Sequence, residues 1–121
     1  MNDCIFCKIA NGEIPAKVIY EDEIVKAYLD INPMGAGHTL IIPKEHYTNL
    51  DDIDENVLSH IMVVSKKLKK LIDERLNPGG IKIVQNNGIL QDVKHYHLHI
   101  VPYYKSDKDL TLDEVYEILT K

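Results

Sequence analysis

Three of the six histidines in this 121-residue chain stand at every second position, in His95-Tyr96-His97-Leu98-His99-Ile100-Val101-Pro102. Side chains of a β-strand alternate faces at about 3.3 Å per residue, so His95, His97 and His99 share one face while Tyr96, Leu98 and Ile100 turn into a core. On a helix the same residues splay around the axis, so the period predicts a strand. At neutral pH an imidazole keeps one ring lone pair, which can bind a metal, relay a proton or attack an electrophile. A lone histidine is ordinarily a solvated polar position, but three in strict alternation ask for one of these chemistries.

Cys4-Ile5-Phe6-Cys7 is the second chemical pattern. Two thiolates at this spacing suit one tetrahedral metal ion. A redox dithiol normally follows a strand, and only three residues precede Cys4, so that use is disfavoured; two idle thiols are the remaining reading.

The elements that must position these groups are legible in outline. Cys4 to Ala10 predicts one or two helical turns ending at Asn11-Gly12. Lys17 to Tyr20 and Ile24 to Leu29, rich in β-branched and aromatic residues, predict a hairpin. Asp30 to Gly37 is a turn-rich loop, and His38 to Pro43 a third strand leading into Lys44-Glu45-His46. From Asp54 to Leu76, Val57, Ile61, Val64, Leu68, Leu71 and Ile72 recur every three or four positions, as in a long helix with one buried stripe. Acidic residues crowd its start and Lys66, Lys67, Lys69 and Lys70 its second half, as the helix dipole prefers; the lysines read as a solvated face and His60 as structural.

Ile81 to Asn86 predicts a fourth strand, Asn87-Gly88 a turn, and the histidine stretch the fifth strand. Thr111 and Glu114 have capping-box spacing ahead of a short terminal helix through Leu119. The expected fold is α+β: an antiparallel sheet of about five strands, one long helix and short terminal helices, as a single domain over 1–121.

A net charge of −5 removes the electrostatic case for general nucleic-acid binding, while a local phosphate site stays open. No apolar run approaches the roughly 20 residues that span a bilayer, and the first residues lack a signal-peptide profile. We therefore expect a cytoplasmic protein without membrane partners, its cysteines reduced.

The sequence resembles the histidine-triad (HIT) superfamily of nucleotide hydrolases and transferases, whose signature of three histidines alternating with apolar residues stands here as His95-Tyr-His97-Leu-His99-Ile-Val. Cys4-Ile-Phe-Cys7-Lys-Ile, Gly12-Glu-Ile-Pro15, Leu29-Asp30-Ile31-Asn-Pro33, Gly37-His38-Thr-Leu-Ile-Ile-Pro43-Lys-Glu-His46 and Gln85-Asn86-Asn87-Gly88 match in the same order, and the small bacterial Hint-like members are most similar. The resemblance implies that His97 attacks the α-phosphorus of a purine nucleoside 5'-phosphoramidate or related AMP derivative, with His99 and His38 as catalytic helpers. It also implies nucleotide contacts from Asp30, Ile31, Tyr28, Asn86, Gln91, His97 and His99. Structural zinc on Cys4, Cys7, His46 and His95, no organic cofactor, and a homodimer joined through the long helix and fourth strand follow from the same likeness.

Alternatives from the same residues are a dinucleoside polyphosphate hydrolase, a nucleotide-binding or interaction protein of negligible turnover, and a zinc-organised domain whose histidines all serve metal. One departure bears on them. The segment from Asn86 to His95 is shorter than in many relatives and places Asp92 where they carry a hydroxyl. A carboxylate there repels phosphate unless Lys94 or a protonated histidine offsets it.

Overall fold

The computed structural model describes residues 3–121. Helix α1 (Ile5–Ala10) is followed by strands β1 (Val18–Glu21), β2 (Val25–Leu29) and β3 (Thr39–Pro43), helix α2 (Glu55–Leu76), strands β4 (Gly80–Gln85) and β5 (Leu98–Tyr103), and helix α3 (Leu112–Thr120). The strands form one antiparallel sheet in the order β1-β2-β3-β5-β4. This is the expected α+β architecture, with β5 between β3 and β4 and the outer edge of β4 unpaired among the described residues.

The sheet is covered on both faces, and the period of two decides which side chains go where. Val25, Ala27, Leu29, Ile41, Leu98 and Ile100 pack with Ile61, Val64, Leu68, Ile72 and Leu76 of α2. The intervening Tyr28, Leu40 and Ile42 pack instead with Phe6, Ile9 and Ala10 of α1. Because β2 and β3 are buried throughout, they read as nearly continuous apolar runs rather than as clean alternation.

Polar side chains set the ends of these elements. Asp54 caps α2 by accepting from the N–H groups of Asn56 and Val57, and Asn77, at φ 51°, ends it in the left-handed conformation. Thr111 and Glu114 form the expected capping box of α3. Asp22 folds the β1–β2 hairpin by accepting from the N–H groups of Ile24 (2.8 Å) and Val25 (2.9 Å).

One expectation needs correction. The strand ladder starts at Leu98, so His95 to His97 precede β5 rather than forming its first residues, with a bend at His95. The expected turn at Asn87-Gly88 is present, with Gly88 at φ 72° opening a 3-10 turn over Gly88–Leu90 inside a long β4–β5 connection. Other bonds pull this segment off the β4 edge. The Tyr96 N–H donates to the Tyr47 carbonyl at 2.7 Å, and the buried Gln91 amide donates to the carbonyls of Thr48 (2.8 Å) and Val93 (3.2 Å). Among the described residues no helix is long and apolar enough to cross a membrane.

Candidate active site and metal cluster

The three triad histidines, with His38 and His46, fall on the α1 side of the sheet, and main-chain groups fix their tautomers. His97 donates from Nδ1 to the carbonyl of His95 at 2.7 Å. A carbonyl oxygen can only accept, so Nδ1 carries a proton and the neutral ring has its lone pair on Nε2, where it can attack an electrophile. The edge of Phe6 packs against this ring at 4.9 Å between centroids and limits its rotation.

His38 is read in the opposite sense. Its Nδ1 accepts from the Met34 N–H at 3.1 Å, and burial, opposed by the nearby Asp30 charge, lowers its pKa, so the neutral ring carries its proton on Nε2. That nitrogen lies 3.0 Å from His99 Nδ1 and 3.6 Å from Asp30 Oδ2. The His38 proton therefore faces a His99 lone pair, leaving the His99 proton on Nε2. Burial first, then His97 and His38, bring His99 down to about 4, with Asp30 and Asp92 pulling the other way. Asp30, His38 and His99 have donor atoms close enough for a metal. However, both His38 nitrogens are already engaged with the required polarity, which favours a hydrogen-bonded chain there.

His95 points away from this chain. Its Nε2 donates to the Pro43 carbonyl at 2.9 Å, which leaves the Nδ1 lone pair directed at Cys4 Sγ (3.4 Å), Cys7 Sγ (3.4 Å) and His46 Nδ1 (3.2 Å). Cys7 Sγ is 3.2 Å from His46 Nδ1, and all four donor atoms lie within 4.8 Å of one another. A tetrahedron built on metal–nitrogen distances of about 2.0 Å and metal–sulfur distances of about 2.3 Å has edges of roughly 3.3 to 3.8 Å. The cluster thus fits a closed S₂N₂ site, with the Pro43 carbonyl orienting one imidazole from outside. Burial, with His46 and His97 adding to it against the Pro43 carbonyl, holds His95 at about 4, so its lone pair is available at neutral pH.

A cavity of about 280 Å³ opens beside His97 and His99. Apolar residues of α1 and the following segment (Phe6, Ile9, Ile14) form one wall, and Tyr28, Asp30 and Ile31 another. Asp30 Oδ1 accepts from the Asn32 N–H at 2.8 Å, so the turn role of this aspartate is present while Oδ2 faces His38. The Tyr28 hydroxyl is buried and has no hydrogen-bond partner among the described residues. Asn86, just past β4, and Gln91 are not among the cavity's lining residues; the Gln91 side-chain Oε1 accepts from the Gly88 N–H at 3.0 Å and its Nε2 donates to the Thr48 carbonyl, holding the loop.

The sequence matches the HIT domain over residues 11–106. The chain belongs to the HIT domain family. A HIT-like protein of Methanocaldococcus jannaschii is 47% identical, over 93% of this chain and 95% of its own length. The crystal structure of a zinc-bound histidine triad family protein from Mycobacterium smegmatis superposes with a TM-score of 0.90 at 35% identity, covering 98% of this chain and 91% of that one. An adenosine 5'-monophosphoramidase of Candida albicans is 44% identical over 82% of this chain and 69% of its own.

In this HIT chain the residues that sequence reasoning left without a role are those that act through packing or the main chain. Phe6 touches His97 and also His95, at 6.0 Å, while its helix carries both cysteines. Its signal was available: it is the chain's single phenylalanine, lying between Cys4 and Cys7. The Met34 N–H and the carbonyls of Pro43 and His95 carry no side-chain signal.

Proposed function

We propose that this HIT protein is a nucleotide hydrolase that cleaves purine nucleoside 5'-phosphoramidates or related AMP derivatives through a nucleotidyl-His97 intermediate. The observation that carries the reading is the His97 Nδ1–His95 carbonyl bond of 2.7 Å, which in the neutral ring puts the lone pair on Nε2, beside the cavity. Similarity to the Candida albicans monophosphoramidase supports the substrate class. Attack forms a phosphorus–Nε2 bond and breaks the phosphorus–nitrogen bond, the amine leaving with a proton taken from solvent. Water then cleaves the phosphorus–Nε2 bond, giving AMP and restoring the lone pair.

His99, donating from Nε2, stabilises charge on the phosphate oxygens, and His38 holds His99 in that tautomer. Asp30 takes the ribose hydroxyls, Ile31 and Tyr28 flank the nucleoside, Asn86 reaches the phosphate, and Gln91 shapes the loop beside it. Cys4, Cys7, His46 and His95 hold zinc, which when bound crosslinks α1 to the sheet as a structural ion. The β4 edge, unpaired among the described residues and with Ile83 exposed, and the exposed Met62 and Val63 of α2 support a homodimer built on these elements.

A nucleotide-binding protein of negligible turnover is the second reading, favoured by the Asp92 carboxylate 3.6 Å from the attacking nitrogen. AMP release from adenosine 5'-phosphoramidate by native protein and by His97→Ala, both folded and equally loaded with zinc, separates the two. A loss of at least about a hundredfold, roughly 2.7 kcal/mol, is expected of a nucleophile. Equal inactivity of both, with AMP still bound by the native protein, transfers the site to the second reading.

A further inference from the structure

The cavity beside His97 does not stand alone. It adjoins an open cleft lined by Asp3, Cys4, Ile5, His46, Thr48, Asp92, Val93 and Lys94, and Ile5, Asp92 and Val93 line both spaces. A group that leaves the nucleotide cavity from the reacting phosphorus in this direction passes Asp92. The Asp92 side chain is 86% exposed, its Oδ1 is 3.6 Å from His97 Nε2, and among the described residues it makes no hydrogen bond. At that distance the carboxylate is not bonded to the ring, and its charge also reaches His99.

The offsetting cation is directed elsewhere. Lys94 donates from Nζ to the Gly88 carbonyl at 2.6 Å and forms no ion pair with Asp92. Asp3 adds a second carboxylate to the cleft, so its side chains other than the cysteine and histidine of the metal cluster carry two negative charges against one positive. Gln91, bonded to Thr48, Gly88 and Val93, fixes the chain directly before Asp92, so this placement is built into the loop.

We propose that Asp92 is a specificity-determining residue that selects the group attached to the nucleotide's phosphorus by charge, favouring cationic and neutral organic amines and disfavouring polyphosphates. The proposal rests on the hydrolase reading for its kinetic form, but charge selection is also measurable in binding alone. A full charge a few ångströms from the passing group changes relative rates by about tenfold at low salt, and the effect shrinks as ionic strength rises.

The test compares native protein with Asp92→Asn, which keeps size and removes charge, on three adenosine 5'-phosphate derivatives: a phosphoramidate of a neutral amine, one of an amine bearing a second ammonium group, and diadenosine tetraphosphate. Relative to the neutral-amine substrate, the variant should lose about tenfold on the cationic one and gain about tenfold on the polyphosphate, both changes fading above roughly 0.5 M salt. A common factor on all three substrates, or ratios moving less than about twofold, overturns the proposal. If native protein turns over none of them, the hydrolase reading fails independently, and equilibrium binding of ATP relative to AMP decides the charge selection. Asp92→Asn should then raise the ATP-to-AMP affinity ratio, and an unchanged ratio overturns the inference.

Discussion

Replacing Gly35 by alanine tests whether the His38 tautomer is set by the loop before it, far from the attacking nitrogen. A Cβ at Gly35 collides with the carbonyl oxygen of Pro102 and comes within 3.3 Å of its carbonyl carbon. Both are main-chain atoms of β5, held at Pro102 by its pairing with Ile81 of β4, so the Pro33–Gly37 loop must move. That loop supplies the Met34 N–H to His38 Nδ1 and the Gly35 carbonyl to the His38 N–H, at 3.1 and 3.0 Å.

Overpacking of this kind costs about 1–3 kcal/mol. For a chain of this length that lowers Tm by roughly 3–15 °C. Losing the Met34 bond removes about 0.5–1.5 kcal/mol of preference for the Nε2–H tautomer, a shift of roughly two- to twelvefold in the tautomer ratio. Nitrogen-15 NMR of labelled histidine reads that ratio directly at His38, and kcat should fall by a similar factor with a smaller change in KM. Gly80→Ala, where a Cβ meets nothing within 4 Å, is the control. If Gly35→Ala leaves both Tm and the His38 spectrum as in the native protein, the loop does not set the tautomer and the reasoning fails.

Two further outcomes follow from the same geometry. Burial opposes ionisation of Asp22, but the bonds it accepts from Val25, His60, Ile24 and Tyr20 outweigh burial and hold its carboxyl well below the ordinary range. A depressed carboxylate pKa stabilises the fold above the unfolded value near 3.8, and the gain disappears as pH falls through the folded value. The stability gap between native protein and Asp22→Asn, about 1–3 kcal/mol, should therefore be present at pH 5 in urea titrations and close as the pH falls below about 4; a gap that instead widens below about pH 4 refutes the assignment. Stripping metal from the Cys4, Cys7, His46 and His95 cluster should lower Tm, by about 4 kcal/mol of lost stability if free zinc had stood at a thousand times its Kd. Metal analysis before and after chelation checks this, and a Tm indifferent to proven metal loss removes the structural role.

How much of this was legible in the sequence divides along a physical line. Side-chain periodicity was visible: alternation put Leu98 and Ile100 against α2 and His97 and His99 on the opposite face, and the three-and-four spacing of Ile61, Val64, Leu68 and Ile72 gave the long helix. What stayed hidden depends on main-chain partners distant in sequence. Nothing in the local pattern says that His95 reaches the Pro43 carbonyl or that Tyr96 is tied to Tyr47. Those bonds decide the chemistry. Three equally spaced histidines could all have bound one metal, but the Pro43 carbonyl takes the His95 Nε2 proton and leaves Nδ1 for the cysteines. The His95 carbonyl takes the His97 proton and leaves Nε2 for an electrophile. One residue thus serves both sites, its ring facing the metal cluster and its carbonyl facing the nucleophile, so a distortion that moves His95 must disturb both together.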